Sequence, residues 1–305
     1  MEWIANYLSS VVVMATPLLL TAGGSVFSER SGILNIGYEG LMLIGAFFGV
    51  TVSWVTGNAL VGALGAMLSG MLLNLLFALF ALKSRANQVV LGLAINTLAS
   101  GLTITLNRLI FGVSTSVPDI AVFESVAIPL LSDIPVIGPA LFNQPLLVYI
   151  AFLLIPVYQF VLKRTNIGLK VRSVGENPYA CDTLGIKVNK VRLLSIMYSG
   201  LMAGLGGAFL SMGQLSFFVE GMVSGRGFMA LAAVVFGNYS PKGILGAALL
   251  FGAADAIQYR LQATSTDIPY QIWIILPYLI TIIALCCYRR KSNCPAYYAK
   301  PFLKK

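Results

Sequence analysis

Histidine is absent from all 305 residues. That removes Ser-His-Asp and Cys-His catalysis, HExxH zinc sites and histidine proton relays in one step. Charge is scarce as well. Asp, Glu, Lys and Arg make up 10% of the chain, against roughly 25% in a soluble domain. No GxxxxGK[ST] run occurs, so the chain has no P-loop nucleotide site of its own. The four cysteines, Cys181, Cys286, Cys287 and Cys294, include no CxxC and read as reduced structural thiols, as expected where disulfides are rare. No carboxylate cluster falls within an apolar run. No metal and no cofactor is expected, and an intramembrane enzyme is disfavoured.

What the chain does have is apolar surface. Hydrophobic residues make up 58% of it and mean hydropathy is +0.86, more than a soluble protein of this length can bury. The expected fold is an all-α polytopic membrane protein. Met1-Glu2-Trp3 is not a basic leader, so Trp3–Val26 is read as the first span. Further apolar runs cover 33–55, 59–82, 89–111, 145–162, 193–212, 244–259 and 268–288. Phe228–Phe236 is apolar but only nine residues long, too short for a ~30 Å hydrocarbon core. It reads as a half-helix or re-entrant segment. The total is about nine membrane segments, or eight if that segment re-enters without crossing. Glu220 and Arg226 flank it and are candidates to pair with each other.

The net charge of +9 sits in loops between spans and in the tail, the pattern of cytoplasmic loops rather than of nucleic-acid binding. Lys83 and Arg85, the 163–192 loop, Lys242 and the 289–305 tail are placed inside. The 112–144 loop carries Asp119, Glu124 and Asp133 without Lys or Arg and is placed outside. Residues 1–288 read as one membrane domain and 289–305 as a basic cytoplasmic tail. Gly40–Ala46 resembles Gly227–Ala233, and Ala59–Ala63 resembles Ile244–Ala248. The first copy begins inside and the second outside, which makes them a candidate inverted repeat of the kind that places a solute path between halves. Composition alone also makes Gly/Ala/Leu-rich spans resemble each other.

Few polar residues lie within spans. Glu39 reads either as a group lining a polar path or as an interfacial residue capping with Asn35. Asn96, in the fourth span, reads as a path residue or as a hydrogen bond joining helices. Small residues recur at every fourth position in Gly62/Ala66/Gly70, Gly200/Gly204/Ala208 and Ala203/Gly207/Ser211, letting neighbouring backbones approach.

The 163–192 loop holds seven Lys or Arg against Glu176 and Asp182. A miniature helix is marked inside it. Asn177 is an N-cap residue type, Pro178 suits the first helical position, and Gly185 suits the left-handed residue past the end. About two turns lie between, too few to stand alone in water, so something must support them.

Two motifs carry a family resemblance. Glu29–Phe47, ERSGILNIGYEGLMLIGAF, resembles the signature of ABC-importer permeases of the branched-chain amino-acid, simple-sugar and nucleoside group. Its N-I-G-x-E-G-x-M-L-x-G-A form is most similar to the nucleoside branch. Gly168–Phe209 resembles that group's cytoplasmic coupling region, G-x-[NE]-x-x-A-A-x-x-x-G-I followed by a Ser/Gly-rich span, with Cys181 where a second alanine is usual. The resemblance weakens in the 112–144 loop, after Gln258 and in the tail. It implies a permease of a bacterial plasma (inner) membrane, itself not an enzyme. It also implies a second permease subunit, cytoplasmic ABC ATPases and an extracellular or periplasmic substrate-binding lipoprotein, in a setting of membrane lipid and without nucleic acid. Glu176, Asn177, Pro178, Tyr179, Ala180, Leu184 and Gly185 would then form the ATPase-coupling element, with Ala180 allowing close seating and Tyr179 and Leu184 as apolar contacts. Asn35, Glu39 and Asn96 are candidates for the substrate path. A sugar or branched-chain amino-acid permease is the alternative within the class, and a secondary transporter the alternative outside it.

Overall fold

The computed structural model describes residues 2–112, 120–129, 141–264 and 292–303, with isolated positions at 138 and between 271 and 283. The expected span at 268–288 falls largely outside the described residues. Long helices dominate the rest. They are α1 (Glu2–Arg30), α2 (Tyr38–Thr56), α3 (Ala59–Leu82), α4 (Gln88–Phe111), α5 (Leu146–Arg164), α8 (Val188–Phe209) and α10 (Pro241–Thr264). Between them lie three short helices, α6 (Asn166–Glu176), α7 (Pro178–Thr183) and α9 (Arg226–Phe236). A strand pair, β1 (Ser125–Ala127) and β2 (Asn143–Pro145), runs antiparallel. Among the described residues seven helices are long and apolar enough to cross a membrane, α8 being extended to Leu215 by a π-helical turn, Leu210–Leu215.

Local chemistry fixes the boundaries. The Asn58 side chain accepts from Leu60 and Val61 N–H at 2.9 and 3.4 Å and starts α3. Asn87 does the same for α4 through Val89 and Val90. Each supplies an acceptor to amides that have none within the helix.

Helix α8 is the centre of the bundle, and its small residues explain why. Gly200 and Gly204 face Asn74, Gly70 and Ala66 of α3. Gly207 lies on the Met42 carbonyl of α2, and Ser211 donates to the Ala46 carbonyl at 3.0 Å. Gly206 meets Pro17 and Thr21 of α1. A Cβ at Gly204 would run into the Ala66 carbonyl, and one at Gly207 into that of Met42. Backbone-to-backbone packing of this kind replaces the hydrophobic drive that lipid cannot provide.

The chain repeats one succession of elements. A long helix, a non-helical break, a shorter helix, a tight turn and a 24-residue helix appear as α1, 31–37, α2, 57–58 and α3. They appear again as α8, 216–225, α9, 237–240 and α10, whose last helix also has 24 residues. Contacts exchange accordingly. Helices α1 and α8 pack antiparallel, Gly24 against Met202 and Gly206 against Pro17. Helix α3 lies on α8 through Ala66, Gly70 and Asn74, and α10 lies on α1 through Gly252 against Val11 and Ala15. The two halves run in opposite directions through the bundle.

The ends of the bundle differ in charge. Residues 30–32, 83–87, 165–187, 237–240 and 292–303 gather at one end with most of the Lys and Arg, here termed the basic end. The strand pair and the 57–58 turn mark the other, acidic end. The broken segment runs from one to the other. Glu220 pairs with Arg108 near the acidic end of α4 at 3.3 Å, while Asn238 accepts from Asn293 N–H at 2.6 Å at the basic end. The segment therefore crosses the bundle rather than turning back.

Candidate functional site

Two features stand out: the place where the breaks meet within the bundle, and the short helix at the basic end.

The first break carries irregular backbone into the membrane, where every N–H and C=O needs a protein partner. Side chains from α3 and α4 reach in to provide them. Gln88 Oε1 accepts from Leu34 N–H at 2.8 Å. Asn96 Nδ2 donates to the Ile36 carbonyl at 3.1 Å, and Asn96 Oδ1 accepts from Gly40 N–H at 2.8 Å. Asn35 folds back to accept from Gly37 N–H at 2.8 Å and donates to Asn74 Oδ1 at 2.8 Å. Asn74 in turn donates to the Ile196 carbonyl and to Ser199 Oγ of α8 at 2.6 and 3.0 Å. Asn74 and Asn96 lie about eight residues from the basic ends of their helices, ~12 Å in at 1.5 Å per residue.

The second break is tied to the first by one side chain. Glu39, in the first turn of α2, accepts from Gly225 N–H at 2.7 Å and from Gly227 N–H at 2.8 Å. These amides open α9, so a carboxylate 186 residues earlier in the chain serves as its cap. The pairing matches the positive end of the α9 dipole. Gly227 allows it, because its Cα lies directly on the Tyr38–Glu39 backbone. Asn35 is fully buried, while Glu39 and Asn96 are half-buried.

Asn35, Glu39 and Asn96 are thus brought together, as spokes of one polar hub. The Asn35–Glu39 capping pair, one of the two readings of Glu39, is not formed; each side chain holds a different piece of backbone. Glu220 and Arg226 do not pair. Arg226 donates instead to the Met222 carbonyl and to Tyr259 Oη, at 3.3 and 3.2 Å, because the turn at 221–225 separates the two side chains. Asn74 and Gln88 were missed in the sequence, although Asn74 carries the same signal as Asn96, a lone amide in an apolar run.

At the basic end, Thr165 Oγ1 accepts from Gly168 N–H at 3.3 Å and begins α6. Asn177 then takes an extended conformation and its side chain accepts from Ala180 N–H at 3.1 Å. Pro178 opens the six-residue α7, and Gly185 follows it at φ +79°, the left-handed region that glycine enters without strain. Glu176, Asn177, Ala180, Leu184 and Gly185 are exposed, and Leu184 is 79% so. Tyr179 is not free. Its ring sits 5.6 Å from that of Tyr297 and 5.3 Å from that of Phe302. Cys181 is buried with Val174, Val188 and Phe302, and burial pushes its thiol above the ordinary range.

The support for this short helix therefore comes partly from the chain's own tail. Tyr297 N–H donates to the Gly175 carbonyl at 2.9 Å and Ala299 N–H to that of Gly32 at 3.0 Å. Tyr298 donates to the buried carboxylate of Glu29. Arg192, which by sequence belongs to the basic loop, is buried at the start of α8 and donates to the carbonyls of Ser31 and Lys300 at 3.1 and 3.2 Å. Residues 292–302 thus bind the end of α1, the α6–α7 junction and the 237–240 turn into one unit. Among the described residues no group of three His, Cys, Asp or Glu side chains is placed to hold a metal ion.

Among the described residues, five of the seven long apolar helices fall in two opposed halves whose backbone breaks are capped inside the bundle, an arrangement suited to a membrane transport protein. Residues 7–285 match the family described as branched-chain amino acid transport system / permease component. The guanosine ABC transporter permease protein NupQ of Bacillus subtilis is 42% identical over 97% of this chain and 95% of its own. TsgC13 of Haloferax volcanii, provisionally named as a glucose ABC transporter permease, is 39% identical over 87% of this chain and 80% of its own. The nucleoside ABC transporter permease protein NupC of Lactococcus lactis is 35% identical over 94% and 93%. A solved inward-facing ABC transporter, provisionally of metal-chelate type, shares the fold at a TM-score of 0.51 and 16% identity, over 91% of this chain and 84% of that one. The chain belongs to the branched-chain amino acid transport system permease family. It is a multi-pass membrane permease subunit of an ABC transporter, a transport component rather than an enzyme.

Proposed function

We propose that this permease imports nucleosides and is driven by separate ATPase subunits that dock on α7. Leu184 carries the coupling part of the reading. A large apolar side chain left 79% exposed at the end of a capped two-turn helix, beside exposed Ala180, is suited to a groove in another protein. The basic end then faces the cytoplasm, as the positive-inside rule requires. The acidic end, with its strand pair, would receive solute from an extracellular or periplasmic binding lipoprotein. A second permease subunit, identical or related, completes the membrane part. NupQ and NupC, two relatives matched over nearly their whole length, are named for guanosine and nucleosides, and this supports the solute class. TsgC13, named for glucose, supports a sugar as the second reading.

The path would run past the hub where the breaks meet. Asn35 and Asn96 would stand beside it and contribute only by holding the backbone of the first break in place. Glu39 would act by holding the start of α9, the half-helix that differs most between the two halves. Uptake of labelled guanosine into cells with and without the chain, in competition with unlabelled nucleosides, ribose and leucine, tests the solute class. Competition by nucleosides alone is expected; competition by sugar alone would establish the second reading.

A further inference from the structure

Beside α7 the bundle opens into a groove of ≈ 950 Å³ between α5, α6, α8 and the segment that follows α7, with Leu184, Gly185 and Ile186 at its edge, at the upper end of the roughly 300–1,000 Å³ typical of ligand sites. Its floor is aromatic. Phe27 lies edge-on at 5.3 Å to both Tyr158 and Tyr198, and Tyr198 donates to Tyr158 Oη at 2.8 Å. Val157, Val161 and Leu194 line the walls. Val157 and Leu194 are 45% and 56% exposed, and Leu153 and Phe160 continue the exposed apolar face of α5. The groove is therefore open sideways, toward hydrocarbon.

Its rim is of a different kind. Lys170 of α6, Lys187 of the α7–α8 linker and Lys190 of α8 all line it at the basic end, with no acidic residue among the described lining. None of the three is paired with a carboxylate among the described residues. An apolar slot open to the membrane, with a cationic rim at one end, matches a molecule with an apolar chain and an anionic head. Uncharged nucleosides lack both. An acidic protein segment meets the lysines but leaves the apolar walls bare.

We propose that the groove holds an anionic phospholipid of the leaflet at the basic end, with an acyl chain along Val157, Val161 and Leu194 and its phosphate among Lys170, Lys187 and Lys190. Basic pockets between membrane helices on this side hold acidic headgroups for the same electrostatic reason. Lys187 stands two residues beyond Gly185, so the bound lipid also anchors the linker that ends the coupling helix. The inference rests on the membrane location of the chain and not on the solute it carries.

Native mass spectrometry of the detergent-solubilised full chain tests it, with phosphatidylglycerol or phosphatidylcholine added at equal concentration. Retention of phosphatidylglycerol over phosphatidylcholine is expected. Each Lys→Gln change at 170, 187 and 190 should lower phosphatidylglycerol affinity about fivefold, while Lys83→Gln and Lys242→Gln leave it unchanged. Val157→Trp, which fills the slot and keeps the lysines, should abolish retention and serves if the lysine variants fold poorly. Equal retention of the two lipids, or an unaltered phosphatidylglycerol signal in both the lysine and Val157→Trp variants, would overturn the proposal. So would displacement of phosphatidylglycerol by inorganic phosphate alone, or disulfide capture of a second protein chain by Val157→Cys.

Discussion

In the first half of the chain the break between long and short helix, residues 31–37, is held by side chains from two neighbouring helices, Gln88, Asn96 and Asn74 acting through Asn35. In the second half, residues 216–225 lead into α9, where the Gly225 and Gly227 amides are held by Glu39 and the Arg226 amide by the Val223 carbonyl. The helix after the first break has 19 residues and is mostly buried; the helix after the second has 11. One fold unit, used twice in opposite directions, has thus become a half whose break is laced by side chains from two helices and a half whose short helix opens on one distant carboxylate. A transporter that must rearrange gains from that asymmetry, because weakly supported elements are the ones that can move.

The contrast can be broken at several points. The largest effect is expected where both halves meet, on α8. Gly204→Leu should cost more than ~3 kcal/mol, at or beyond the upper range for overpacking, and prevent recovery of folded protein from detergent. Gly246→Ala, with open space at the same atom, should be close to neutral in thermal unfolding. Next comes the lacing of the first half. Asn96→Leu removes two hydrogen bonds to the first break and leaves the Gly40 amide and Ile36 carbonyl unpaired, for about 2–4 kcal/mol. A lowered unfolding temperature with uptake reduced only in proportion to folded protein is the expected result.

Glu39 sharpens the comparison most. Glu39→Gln keeps one acceptor oxygen and loses the charge, so about 1–2 kcal/mol of the capping is lost. Uptake should fall further than the amount of folded protein. Equal falls in both would make the second break as structural as the first. The smallest effect on stability is expected at Leu184→Ser, within ~0.5 kcal/mol for an exposed position, while co-purification of the ATPase drops severalfold.

The sequence reading succeeded where the determinants are local. Asn177, Pro178 and Gly185 could be placed because a cap and a left-handed turn are decided by residues a few positions apart. The short apolar run at 228–236 announced a broken segment for the same reason, and the spans followed from hydropathy. The roles that escaped notice depend on distant partners. Glu39 meets Gly225 and Gly227 across most of the chain, and no local pattern encodes that. Tyr179 was read as a contact for another protein, yet its ring lies on Tyr297 and Phe302 of the tail. Arg192 reads in sequence as one of seven basic residues of the 163–192 loop, but carbonyls of Ser31 and Lys300 take it into the interior. The repeat is visible in sequence as two short matches, Gly40–Ala46 with Gly227–Ala233 and Ala59–Ala63 with Ile244–Ala248; its lengths and exchanged contacts emerge with the helices in place.

The central claim is that a partner ATPase drives this permease through α7. It is tested most directly by guanosine uptake into proteoliposomes containing the permease, its partner subunits and ATP, with wild-type chain or Ala180→Arg. The substitution places bulk and charge on the exposed face of α7 without touching the bundle. The account predicts a variant that inserts and unfolds like wild type but neither retains the ATPase nor takes up guanosine with ATP. Normal ATPase retention together with normal ATP-dependent uptake by the Ala180→Arg protein would contradict it.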